Sequence, residues 1–149
     1  MGLRVYLDTS IFSAYFDEAT PDRKTQTQDF WARRSQFEIA TSELAREEME
    51  QTPDLTRRSD LLQLLDRIII YPVTTEVRDL ARSYTSSGTF TPVMYNDAVH
   101  VSAAVLNRQD ILLSWNFKHL VNRRRRAQIN AVNTRLGLPT IEIVAPPEV

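Results

Sequence analysis

The chain contains no cysteine, which excludes disulfides, zinc–thiolate sites and cysteine nucleophiles. The same absence fits a cytoplasmic protein. Glycine is scarce, at 3 in 149 residues, so neither common glycine-rich phosphate loop is present. No apolar run is long enough to span a bilayer, and no signal-peptide pattern opens the chain, so no membrane association is expected. Positive charge is not in surplus. The net charge is −1, so any affinity for RNA or DNA must come from local patches. Internal repeats and low-complexity segments are absent too.

What is present reads as one domain over residues 1–149, with no internal boundary and enough length for a sizeable core. Leu3 to Leu7 form an apolar strand that ends on Asp8, followed by Thr9 and Ser10. A short helix follows, then a polar helix from Pro21 toward Ser35. Phe37, Ile39 and Ala40 mark a second strand, and Ser42 opens a helix through Met49. Another helix carries Leu55, Leu61, Leu62, Leu64 and Leu65 on its apolar side, and the β-branched run from Ile68 to Val73 gives a third strand. Helices are expected over Glu76 to Ser86 and Asp97 to Asn107, a fourth strand over Ile111 to Ser114, a last helix over Gln128 to Leu136 and a fifth strand over Ile141 to Val144. Alternating strands and helices predict a three-layer α/β/α fold around a mostly parallel sheet of about five strands.

In such sheets ligands bind at the carboxyl ends of the strands, where Asp8 sits. Taken alone, Asp8 or Thr9 reads as the cap of the next helix. The helix after Ser42 supplies a second acid. Advancing about 100° per residue from Leu44, the apolar face of Leu44, Ala45 and Met49 centres near about 80°. Glu48 falls near about 40°, inside that face, whereas Glu43, Glu47 and Glu50 fall at roughly 240–300°, toward solvent. An inward carboxylate needs a metal or a partner such as a buried arginine.

Asp97 opens a helix that is almost wholly apolar, Ala98 to Leu106, and so predicted to be buried. Asn96 or Asp97 could serve as its cap, and His100 reads as a hydrogen-bonded core residue. Asn116 follows the fourth strand, where it could ligate a hard cation or cap the segment Phe117 to Leu120. Three carboxylates and an amide gathered in one place are unfavourable without a cation, and all-oxygen ligation points to Mg²⁺ or Mn²⁺ and to phosphate chemistry. The run Arg123 to Arg126 reads either as a phosphate-binding patch or as a solvated helix start. Trp115 and Tyr95 could stack on bases or lie in the core. Trp31 could serve a dimer or partner surface, or simply pack its helix.

Four motifs in order resemble the PIN-domain ribonucleases, especially VapC-like toxins of toxin–antitoxin pairs. They are Val5-Tyr6-Leu7-Asp8-Thr9-Ser10, Ser42-Glu43-Leu44-Ala45-Arg46-Glu47-Glu48-Met49, Asp97 to Ala104, and Leu112-Leu113-Ser114-Trp115-Asn116 with Phe117-Lys118-His119-Leu120. In the second motif of that family a serine precedes the functional glutamate by six positions, which selects Glu48 again. The resemblance implies Mg²⁺- or Mn²⁺-dependent hydrolysis of RNA phosphodiesters, leaving a 5′-phosphate and a 3′-hydroxyl. It implies that Asp8 and Asp97 hold the metal and that Glu48 holds it or orients the attacking water. Asn116 would ligate through water or position the phosphate, and Thr9, Ser10 and Ser114 would hydrogen-bond the ligands. A cognate antitoxin is the implied protein partner, and a homodimer is left open. Many relatives have aspartate where this chain has Asn116, and the neutral residue weakens attraction for a second metal. Two alternatives stand beside this one: a degenerate PIN module that only binds, and an aspartate-based phosphatase-like protein. The latter would want a second aspartate where Ser10 stands.

Overall fold

A computed structural model describes residues 2–149. Five strands form one sheet: β1 (Leu3–Leu7), β2 (Phe37–Ser42), β3 (Ile69–Tyr71), β4 (Ile111–Leu113) and β5 (Glu142–Val144). Their order is β3-β2-β1-β4-β5, and every pairing is parallel. Seven α-helices fall between the strands: α1 (Thr9–Ser13), α2 (Pro21–Ala32), α3 (Glu43–Glu50), α4 (Leu55–Gln63), α5 (Thr75–Ser86), α6 (Tyr95–Leu106) and α7 (Arg123–Arg135). This is the expected three-layer α/β/α arrangement, with the sheet wholly parallel.

Parallel sheets need cover on both faces, and the central strands show it. Val5, Tyr6 and Leu7 in β1 and all of β4 are buried. The apolar helix α6 is equally enclosed: every residue from Ala98 to Val105 is buried. It lies against α5, whose Val77, Leu80, Ala81 and Tyr84 form its inner face.

The topology places the site. Chain progression runs from β1 to β2 on one side and returns to β4 on the other, so the strand order reverses beside β1. A crevice at the carboxyl ends is expected at such a switch point. Asp8 follows β1 and Ser114 follows β4, and the backbone N–H of Asp8 donates to the Leu113 carbonyl at 3.2 Å.

Two helix starts differ from expectation. Helix α6 begins at Tyr95, after a 3-10 turn at Pro92–Met94, so Asp97 lies in its first turn and is not the cap. Helix α7 begins at Arg123 because the Asn122 side chain accepts from the Arg125 N–H at 2.8 Å. That cap outweighs four arginines in the first turn, a position where the helix dipole disfavours cations. Gly137, at φ 72°, ends the helix in the left-handed region that glycine reaches without strain.

Candidate active site

Asp8 is 4% exposed, and both carboxylate oxygens are engaged. Oδ1 accepts the Ser10 N–H at 3.0 Å and the Ser10 hydroxyl at 2.5 Å. Oδ2 accepts the Ser114 hydroxyl at 2.5 Å. Asp8 thus caps α1 while standing at the carboxyl end of β1. Burial pushes its carboxyl above the usual carboxylate range; the His100 charge and the two serine hydroxyls oppose that shift without cancelling it.

Glu48 is half-buried on the inner side of α3, between the buried Ala45 and Met49, while Glu47 and Glu50 are exposed. Glu43 pairs with Arg46 at 3.1 Å. The partner of Glu48 is not an arginine. Its Oε1 accepts the Thr9 hydroxyl at 2.6 Å and lies 2.9 Å from His100 Nε2. Burial raises this carboxyl, but the His100 bond and charge and the Thr9 bond outweigh burial and leave it below its usual range.

Behind His100 runs a buried chain. Its Nδ1 is 2.7 Å from the Tyr6 hydroxyl, which is 2.7 Å from Ser42 Oγ. Burial pushes the Tyr6 hydroxyl far above its ordinary value, so it keeps its proton. An ionised Glu48 only accepts, so His100 Nε2 carries a proton toward it. With a neutral ring Nδ1 accepts from Tyr6 and Ser42 donates to Tyr6; with a charged ring Nδ1 donates to Tyr6 and Tyr6 donates to Ser42. In either state the hydrogen bonds form one unbroken line from Ser42 through Tyr6 and His100 to Glu48.

Asp97 is the third acid. Its Oδ2 is 2.9 Å from His119 Nδ1, and its Oδ1 is 3.5 Å from Asn116 Nδ2. Asn116 is tied on its other side as well. Its N–H donates to Ser114 Oγ at 2.9 Å, and its Oδ1 accepts the His119 N–H at 2.9 Å, so it does cap the Phe117–Leu120 segment. Ser114 and Asn116 thereby link Asp8 to Asp97. Thr9, adjacent to Asp8, links it to Glu48.

Asp8, Asn116 and Asp97 therefore join one hydrogen-bonded net at the carboxyl edge of the sheet, while Glu48 belongs to a second net with Thr9, His100, Tyr6 and Ser42 that meets Asp8 only through the chain at Thr9. The four expected residues do not all face one point. Among the described residues, no three His, Asp or Glu side chains are placed to hold one metal ion as they stand. Glu48 and Asp97 are each turned to a histidine. The donor chemistry nevertheless fits a hard cation. All three acids offer oxygen, and Asp97 Oδ1 meets only a long amide contact.

His119 and the Tyr6–Ser42 support were not anticipated, and His100 was expected only as core. A signal existed for His100: it lies three residues after Asp97, and that spacing puts both on one face of α6. Of the aromatics, Trp31 packs in the core against Phe12, Tyr15 and Phe30. Trp115 is buried too, its indole N–H donating to Thr27 Oγ1 at 2.8 Å. Tyr95 is half-buried.

The PIN domain family model matches residues 5–141. The chain belongs to the PIN-domain family. Its fold is that of VapC-type PIN proteins among solved structures. A chain of VapBC2 from Rickettsia felis, solved bound to a DNA fragment from their promoter, matches with TM-score 0.56 and 17% identity, over 95% of this chain and 97% of that one. VapC20 of Mycobacterium tuberculosis, described as a sarcin–ricin loop cleaving toxin, matches with TM-score 0.63 and 13% identity, over 77% and 92%. A chain of DNA-bound VapBC from Salmonella typhimurium matches with TM-score 0.56 and 17% identity, over 97% and 98%. Comparison with curated protein sequences found no match. No helix of this PIN protein, among the described residues, is long and apolar enough to cross a membrane.

Proposed function

We propose that the protein is a metal-dependent endoribonuclease that hydrolyses phosphodiester bonds of single-stranded RNA, acting as the toxin of a toxin–antitoxin pair. The observation that carries this reading is the net joining Asp8 to Asp97 through Ser114 and Asn116 at the switch point of a PIN fold, with Glu48 bonded to Thr9, the residue after Asp8. Buried or half-buried acids gathered this way are electrostatically costly without a cation. Asp8 and Asp97 would hold Mg²⁺ or Mn²⁺, which when bound polarises a phosphoryl oxygen and acidifies a bound water. Glu48 would hold the ion or orient that water, with its carboxylate fixed by Thr9 and His100. Ser10 and Ser114 hold Asp8 in one orientation, and Asn116 steadies Asp97 or a phosphate oxygen. The resemblance to VapC toxins supports an antitoxin as the protein partner.

The neutral Asn116 favours a second reading, a PIN module that binds RNA without cutting it. One experiment separates the two. The purified protein, given an end-labelled single-stranded RNA, should cut it with Mg²⁺ or Mn²⁺, leave 5′-phosphates and stop in chelator. Tight binding with no cutting under any divalent metal would favour the binding module.

A further inference from the structure

A second candidate site is cationic. A cleft of about 370 Å³ opens between the loop from α5 to α6 and the first turns of α7. Thr89 and Thr91 line one side, and Lys118, Arg124, Arg125 and Gln128 line the other. No acid lines it. Among the described residues, none of the three cations has a carboxylate partner.

The four arginines of the run are not equivalent. Arg126 turns away and donates to the Ile143 carbonyl at 3.0 Å, tying α7 to β5. Arg123 is exposed and outside the cleft. Arg125 lies on the Phe90 ring, 4.8 Å from its centroid, with Nη1 3.3 Å from Met94 Sδ. It is thus a cation held in place by packing, and it feels the charge of Asp97. Arg124 and Lys118 are exposed, and their charged ends make no hydrogen bond among the described residues.

The cleft is tied to Asp97 by its neighbours along the chain and by the Asp97 charge that Arg125 feels. Lys118 precedes His119, which holds Asp97. Met94 directly precedes α6, which carries Asp97. A polyanion extending from the carboxylate net would meet three fixed or free cations and two threonine hydroxyls. A cleft with three cations and two threonine hydroxyls offers contacts to consecutive phosphates on a chain.

We propose that this cleft binds the phosphate backbone of the single-stranded RNA beside the bond to be cut. Lys118 and Arg124 neutralise phosphates there, and Arg125 marks the passage to Asp97. The inference rests on the nuclease reading, and it sets the strand's path across the site.

The test measures binding apart from cutting. A fluorescent single-stranded RNA oligonucleotide is titrated with protein in chelator, where the metal-dependent cutting is silent, at several salt concentrations. The variant Lys118→Gln/Arg124→Gln removes two exposed cations that support no fold contact. A control, Arg78→Gln/Arg135→Gln, makes the same change in net charge on exposed positions elsewhere. Each lost phosphate contact lowers the salt slope by about 0.7 for a single strand, so the cleft pair should lower it by about 1.4. At 0.1 M salt that corresponds to about 25-fold weaker binding, with the control near wild type. With cleavable RNA and metal, the cleft pair should raise KM and leave kcat within about twofold, as expected for uniform binding.

Equal losses in both variants would overturn the proposal, since the effect would then be general charge. Unchanged binding in the cleft pair would overturn it too, as would preferential capture of a glutamate-rich peptide over RNA through these residues. If RNA binds through Lys118 and Arg124 but is never cut, the nuclease reading fails and the cleft stands. If RNA is cut and the cleft pair alters neither slope nor KM, the cleft fails and the nuclease reading stands.

Discussion

Replacing Tyr6 with phenylalanine isolates the support behind Glu48. The ring is fully buried, so Tyr6→Phe keeps its packing and deletes only the hydroxyl. Two hydrogen bonds go, each 2.7 Å long, to Ser42 Oγ and to His100 Nδ1. Each contributes about 0.5–1.5 kcal/mol net, so the loss is about 1–3 kcal/mol. The unpartnered His100 nitrogen keeps the figure from falling below that range. Ser42 can recover part of its share, because it stands at the start of α3 with no cap bond yet made. For a chain of this size about 2 kcal/mol corresponds to a melting shift of about 4–8 °C. Total stability of a domain is about 5–15 kcal/mol, so the variant stays folded. Glu48 keeps its Thr9 bond, but His100 loses the partner that fixes its tautomer. Loss of such an outer support typically costs about 10- to 100-fold in metal affinity or activity. Differential scanning fluorimetry and a cleavage assay on the same samples check both effects. Ser42→Ala is the control: Tyr6 keeps its bond to His100, so stability should fall less and activity should hold. A melting shift under about 1 °C for Tyr6→Phe, or equal activity losses in both variants, would refute the support of Glu48 by Tyr6 through His100.

Three further outcomes follow from the same geometry. Burial raises the Asp8 carboxyl, so its contribution to stability is full below the unfolded pKa and is lost as pH rises through the higher folded one. Asp8→Asn should therefore abolish cutting yet raise the melting temperature near neutral pH in chelator; a lower melting temperature there would contradict the sign. Glu48→Gln should cost at least about 100-fold in cutting rate, with Glu43→Gln and Glu47→Gln within about threefold, because only Glu48 meets Thr9 and His100. A larger loss at Glu47 in the same steady-state assay would show the wrong acid had been chosen. Asn116→Asp should tighten the weaker of two Mn²⁺ binding events in calorimetry and leave the tighter less changed, since it adds charge beside Asp97. No response of the weaker event would remove Asn116 from the metal's surroundings.

Much of this was legible in the sequence where a local rule decided the outcome. The apolar run into Asp8 placed that acid at a strand end, and the fully apolar α6 announced its burial. The helical phase separated Glu48 from Glu43, Glu47 and Glu50 without any knowledge of its partner. What stayed hidden was set by distance along the chain. His100 is 52 residues from Glu48, and Ser114 is 106 from Asp8. A histidine on an apolar helix reads as core until another helix, here α3, brings an acid to it. The helix expected over Gln128 to Leu136 begins at Arg123, so the arginine run is the helix start that was one of its two readings, fixed there by the Asn122 cap. The polar flanks of Trp31 left its place open; its burial depends on Phe12 and Tyr15, which arrive from α1 and the turn after it.

The central claim is that Asp8, Glu48 and Asp97 serve one divalent ion. The most direct test is a crystal grown or soaked with Mn²⁺ and measured for anomalous scattering. The account predicts a Mn²⁺ peak at coordination distance from the Asp8 and Asp97 carboxylates, with Glu48 bound directly or through one water. A fully occupied Mn²⁺ peak elsewhere, with Glu48 still on His100 and Asp97 still on His119, would contradict it.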